Sequence, residues 1–219
     1  MRCFQCRDTP GNRVSIYERG ISMKLYDISQ EVFGCKVFPG DPSPQREIML
    51  SIANGDVCNL TAFKMCAHNG THVDAPSHFI DGAGNIDEVD LEKFIGYAYV
   101  AEHEGDLSAD DAKRILISAK ECDLRSCERI LVKGNATVTK EAAEVFASAD
   151  IKLFGNESQT VGPEDAPMEV HLIMLGAKIV LLEGIRLGGI KEGTYILNAA
   201  PLNLGGAEGS PCRATLMEL

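Results

Sequence analysis

Apolar positions come in short clustered runs over the first half of the chain, then alternate with helical patterns over the second. Residues 25–29, 48–52 and 58–65 read as strands, each an apolar run bounded by turn-forming residues. Between the first two, Val37-Phe-Pro-Gly-Asp-Pro-Ser-Pro is too rich in Pro and Gly for regular structure and is expected to be an ordered loop. Residues 97–101 form another apolar run. Ser108 is an N-cap candidate, followed by early acids and helically spaced apolar residues, so a helix is expected there. Residues 129–133 read as a buried strand, and Thr139 caps a helix that returns to a strand at 151–154, which suggests a parallel crossover. Residues 167–176 are helix-like with a glycine stop, 178–182 a buried strand and 195–200 the last strong strand. No repeat or low-complexity run interrupts this order. The pattern predicts an α/β fold: a single mixed domain with a β-rich core and a few crossover helices.

Composition narrows the possibilities. With 219 residues, 45% of them hydrophobic, the chain is long enough for one substantial core. Its longest apolar runs are broken by charge well short of a bilayer span, so no membrane partner is expected. A formal charge of -11 and the lack of any Lys/Arg cluster exclude nucleic acid as a partner. Residues 1–22 differ from the rest: four Arg face one Asp and one Glu there, which leaves -13 for the remainder. That segment reads as an N-terminal extension, either a disordered arm or an upstream stretch of the coding frame, with the domain proper at 23–219 and a cleaner start at Met23. No secretory pattern opens the sequence, and a cytoplasmic location is expected. The eight cysteines are scattered; only Cys3-Phe-Gln-Cys6 has metal-ligand spacing, with no second pair nearby, so reduced thiols are expected.

The chemistry concentrates in His68-Asn-Gly-Thr-His72-Val-Asp74-Ala-Pro-Ser-His78, which holds three of the five histidines. Gly70, Pro76 and the β-branched Thr71 and Val73 argue against a helix. In an extended chain side chains alternate faces, so the even positions 68, 72, 74 and 78 would all point one way. Gly70 and Pro76 would leave room between the polar groups. Imidazoles and a carboxylate suit zinc or manganese, and three such ligands with an open position leave space for an activated water.

This segment matches every fixed position of H-x-G-T-H-x-D-x-P-x-H, and in it the chain resembles the putative cyclase family, whose best-known members are bacterial kynurenine formamidases. Tyr26-Asp-Ile-Ser, Phe38-Pro-Gly-Asp-Pro, Ala200-Pro-Leu and Pro211-Cys-Arg-Ala extend the resemblance over nearly all of 23–219. The resemblance implies a swivelling β/β/α, cyclase-like fold. It also implies that His68, His72 and Asp74 are metal ligands and that His78 is the acid/base residue. The family's second pair, a His and a Glu twelve residues apart, falls on His171 and Glu183, so that Asp74 and Glu183 could bridge two metals. Without the resemblance, His171 is a helix residue of unknown purpose and Glu183 an acid ending an apolar strand, costly there unless paired or ligating. His103 sits in an acidic turn, has no matching role, and reads as solvent-facing.

The resemblance therefore implies a metal-dependent hydrolase of an amide or formamide-type C–N bond, with a small-molecule carbonyl substrate. Its cofactor would be a divalent transition metal, zinc first and manganese second, one or two ions per chain, in a homodimer or homotetramer. A hydrolase of a cyclic amide or lactone of the isatin type uses the same residues; a noncatalytic metal-binding protein would not need His78. The chain departs from the family's more usual Gly-Thr-Asp at Gly155-Asn-Glu-Ser158. It has no Trp, so Phe and Tyr alone remain to grip an aryl substrate.

Overall fold

A computed structural model describes residues 13–18 and 21–218. The strands are β1 (Arg13–Glu18), β2 (Ile21–Asp27), β3 (Gln45–Leu50), β4 (Leu60–Lys64), β5 (His72–Asp74), β6 (Ile95–Glu102) and β7 (Gly105–Leu107). They continue as β8 (Arg129–Lys133), β9 (Ala136–Val138), β10 (Leu153–Asn156), β11 (Val180–Glu183), β12 (Gly193–Asn198), β13 (Gly209–Pro211) and β14 (Thr215–Glu218). Three helices join them: α1 (Ala109–Cys122), α2 (Lys140–Ser148) and α3 (Met168–Gly176). Ten strands form one sheet in the order β1-β2-β14-β12-β6-β8-β10-β11-β5-β13. Its centre, β6-β8-β10-β11, is parallel and both flanks are antiparallel, so the expected single mixed α/β domain is what forms. A hairpin, β3–β4, and a short parallel pair, β7–β9, stand outside the sheet.

The central strands are buried on both faces, and their side chains divide by parity. Tyr99, Ala101, Ile130, Val132, Phe154 and Leu181 meet the helices, which add Ile115, Phe146 and Met174 among others. Ala98, Val100, Leu131, Leu153, Val180 and Leu182 face the other way, under Phe94, Ile185 and Leu187. The same parity fixes the edge: Val73 points to the second cluster, so His72 and Asp74 point to the helix side, and Glu183, next to Leu182, does too.

Element boundaries moved by a few residues from expectation. The strand expected at 151–154 forms at Leu153–Asn156, and the one expected at 25–29 stops at Asp27, the end of the longer β2. Strands β7, β9, β13 and β14 are too short and glycine- or polar-interrupted to stand out in the sequence. The described cysteines, Cys35, Cys58, Cys66, Cys122, Cys127 and Cys212, are free thiols. Cys3 and Cys6 lie outside the described residues, as does much of the 1–22 extension, where only the β1 backbone and the first residues of β2 are seen. Among the described residues no helix is long and apolar enough to cross a membrane.

Candidate metal centre

The centre forms where three strands run side by side. Antiparallel pairing of β11 with β5 sets Glu183 opposite His72, and β13 on the far side sets Gly209 opposite Asp74. Directly opposed residues share a face with their Cβ atoms roughly 4.5–5.5 Å apart, so register alone brings Glu183 to His72. Glu183 closes the carboxyl end of β11, where ligands usually bind in α/β sheets. α3 packs over this corner and carries His171, which is buried.

The extended-chain reading of 68–78 needs correction. Only His72 and Asp74 are related by strand alternation; His68 lies in a turn before β5 and His78 in a 3₁₀ turn, Pro76–His78, after it. The turn before β5 depends on Gly70, whose φ of +67° is in the left-handed region and whose added Cβ would lie 2.9 Å from Cys35 Cβ. Gly70 therefore serves a close backbone approach rather than leaving room between ligands. The turns still deliver all the expected residues to one place.

His68 Nδ1 lies 2.8 Å from Asp74 Oδ1, and His72 Nε2 lies 3.4 Å from the same oxygen and 3.3 Å from Glu183 Oε2. His171 Nε2 is 3.2 Å from Glu183 Oε1 and 3.6 Å from Asp74 Oδ2. Donor atoms of His72, Asp74 and Glu183 fall within 4.8 Å of one another, as do those of His68, Asp74 and His78. His78 stacks on His68 with ring centroids 3.9 Å apart. His103 is not part of this group; it is half-buried rather than solvent-facing, with Nε2 3.2 Å from the Asp106 carbonyl.

The outer atoms of two imidazoles are held by backbone. His72 Nδ1–H donates to the Gly70 carbonyl at 3.0 Å and His171 Nδ1–H to the Pro167 carbonyl at 2.8 Å, which turns both Nε2 lone pairs inward. Glu183 Oε1 accepts from the Val161 amide at 2.8 Å. Gln159 donates to the Gly70 carbonyl at 2.9 Å, and Thr71 donates to the Gly184 carbonyl at 2.8 Å, bracing the two strands. Gln30, which donates to Gln159 and Gly184, completes this support. Nothing in the sequence pointed to Gln30 or Gln159, because each acts on a distant backbone, Gln30 on Gly184 154 residues on and Gln159 on Gly70 89 residues back.

The donor set fits a cation. Asp74 and Glu183 are both buried, and two carboxylates in one low-dielectric corner need compensating positive charge. Burial lowers the basicity of His72, but the Asp74 and Glu183 carboxylates facing its Nε2 outweigh it and push its pKa up to about 10. Burial likewise lowers those of His68 and His171, yet Asp74 raises the first and Glu183 the second above the ordinary histidine value. Burial would raise the Asp74 carboxyl; the hydrogen bond to His68 and the neighbouring His72 imidazole hold it well below the usual range. His78 goes the other way, pushed down by burial. His72 Nε2, Asp74 Oδ2 and His68 Nε2 are buried without a hydrogen-bond partner among the described residues. The centre opens into a cavity of about 270 Å³ lined by Phe38, Asp41, His78, Phe79 and Thr160 among others.

The family model described as Putative cyclase matches residues 21–163. Cyclase-like protein 1 of Arabidopsis thaliana is 30% identical, over 94% of this chain and 88% of its own length. Kynurenine formamidase of Delftia acidovorans is 29% identical, over 91% of this chain and 100% of its own. Among solved structures, one described as a potential metal-dependent hydrolase with cyclase activity superposes with a TM-score of 0.75 at 24% identity, covering 90% of this chain and 98% of that one. Isatin hydrolase A from Labrenzia aggregata, bound to benzyl benzoate, gives a TM-score of 0.75 at 21% identity, covering 89% and 93%. These two likenesses concern the fold.

Proposed function

The chain belongs to the cyclase family, and from that premise we propose that it is a metal-dependent hydrolase of amide or formamide-type C–N bonds in small carbonyl compounds. The observation that carries the reading is the buried convergence of His72, Asp74 and Glu183, with unpartnered donor atoms, at the base of an open cavity. We assign His68, His72, Asp74, His171 and Glu183 as metal ligands, with Asp74 facing all three histidines and Glu183 two of them, a set that could hold two ions. Zinc suits this mixed His/carboxylate set, and manganese is the second choice.

The chemistry a bound divalent ion supplies is polarisation of a carbonyl and activation of water near neutral pH. The rest falls to the chain's own groups. His78, half-buried at the cavity wall and pushed toward its neutral form, takes a proton from water through a ring nitrogen and returns it to the leaving nitrogen. Phe38 and Phe79 offer apolar walls for the substrate's carbon frame. A cyclic amide or lactone of the isatin type would use the same groups, and the fold shared with isatin hydrolase A supports it as the second reading.

We further propose a cytoplasmic homodimer or homotetramer. The β3–β4 hairpin leaves Ile48, Met49, Leu60 and Phe63 exposed beside Phe33, an apolar surface suited to a second copy.

Elemental analysis of protein purified without a nickel column tests the cofactor, with one or two zinc or manganese ions per chain expected. N-formyl aryl amines and cyclic amides assayed side by side then separate the two substrate classes. Full activity of metal-free protein in chelator would overturn the reading.

A further inference from the structure

Three imidazoles converge on the centre, and two of them have their outer nitrogen held by a backbone carbonyl, as described for His72 and His171. The third differs. His68 turns Nδ1 inward, 2.8 Å from Asp74 Oδ1, so its outer nitrogen is Nε2. That atom is buried, has no hydrogen-bond partner among the described residues, and lies 3.3 Å from Glu208 Oε1.

We infer that Glu208 is a positioning residue, the outer carboxylate that holds His68 by its Nε2–H and keeps the Nδ1 lone pair turned to the centre. An imidazole has one lone pair to give a metal, and the nitrogen that gives it is chosen by the hydrogen bond the other makes. Backbone cannot do this for His68, whose outer edge lies over Gly209: a Cβ there would come within 2.6 Å of His68 Cε1. That glycine lets the Cε1–Nε2 edge of the ring come close to β13, and the residue before it supplies the side chain.

The placement of Glu208 is itself fixed by the sheet. Its carbonyl accepts from the Ala75 amide at 2.9 Å, just beyond the β5–β13 ladder that pairs Gly209 with Asp74. The backbone that carries Glu208 is thus tied to the strand that carries Asp74. Its side chain is about half exposed (47%), against 14% for His68, so it approaches from the solvent side and closes the outer face of the ring. A carboxylate in this position also makes the imidazole a stronger donor, which a carbonyl does less well.

The inference rests on the metal reading above, and one set of measurements separates the two. Zinc affinity is measured by chelator competition for the wild type, E208A and E208Q, together with ¹⁵N spectra of the His68 ring in the zinc-loaded proteins. E208A should bind zinc about 10- to 100-fold more weakly, the usual effect of losing an outer-shell partner. E208Q, whose amide oxygen can still accept from Nε2–H, should recover most of the affinity. In the wild type the His68 ring should show a metal-bound Nδ1 and a protonated Nε2, a pattern that E208A loses. Wild-type affinity and an unchanged His68 spectrum in E208A would overturn the role of Glu208 while leaving the metal reading intact. A wild type that binds no zinc or manganese would overturn both.

Discussion

His72 and His78 sit six residues apart in one motif, yet their surroundings differ, and so do the tasks proposed for them. His72 is fully buried, braced by the Gly70 carbonyl and wedged between two carboxylates, whereas His78 is partly open to the cavity and stacked on His68. Replacing a ligand and replacing a proton carrier fail differently. His72→Ala should lose metal and turnover together and leave Asp74 and Glu183 facing each other without the intervening imidazole. His78→Ala should keep its metal and lose about 10²- to 10⁴-fold in kcat, the usual worth of a positioned acid/base group. Metal content measured beside turnover decides the matter. Since His78 also lies within ligand distance of His68 and Asp74, an emptied site in His78→Ala would reassign it as a ligand.

The elements that frame the centre are separable from those that stabilise the domain elsewhere. Ser108 caps α1 by accepting from the Asp111 amide, while its own amide and hydroxyl donate to the Asp111 carboxylate. Those bonds, side chain first and backbone second, hold the Asp111 pKa down to about 2. A depressed carboxyl stabilises the fold above its unfolded value near 3.8, and this share is lost as pH falls from there through about 2. Ser108→Ala should cost about 1 kcal/mol, lowering Tm by roughly 2–4 °C at neutral pH and by less near pH 2. Because α1 contributes no residue to the centre, zinc affinity and kcat should stay at the wild-type level. Thermal melts at two pH values, with turnover measured alongside, check both halves; a loss of metal in this variant would show that α1 does bear on the site.

On the scale of the whole molecule, the order of strands separates β1 from the chemistry. β1 lies at one end of the ten-stranded sheet, and β11, β5 and β13 gather at the other. We therefore expect a chain beginning at Met23 to keep its metal and its turnover, although it gives up β1 and the first two residues of β2. Equal metal content and kcat in the shortened and full-length chains would bear this out. A shortened chain that folds but no longer turns over would mean that residues 1–22 reach the site, in the same chain or in a second copy.

Much of the centre could be read in one dimension because its side chains have unusual chemistry at close spacing. Three histidines and an aspartate in eleven residues are rare enough to stand out, and buried strands and capped helices announce themselves by apolar runs and by residues such as Ser108 and Thr139. What the local pattern could not supply was direction: an even-numbered extended chain would have aligned the four side chains, but turns at Gly70 and Pro76 bring them together instead. Contacts across long separations were beyond it altogether. Glu183 meets His72 through β11–β5 register, Gln159 braces Gly70 from a loop, and Glu208 reaches His68 because β13 returns beside β5. A lone glutamine or glutamate carries no mark of such a role in sequence, since the role comes from the backbone pairing that places it, and that pairing exists only once the sheet has closed.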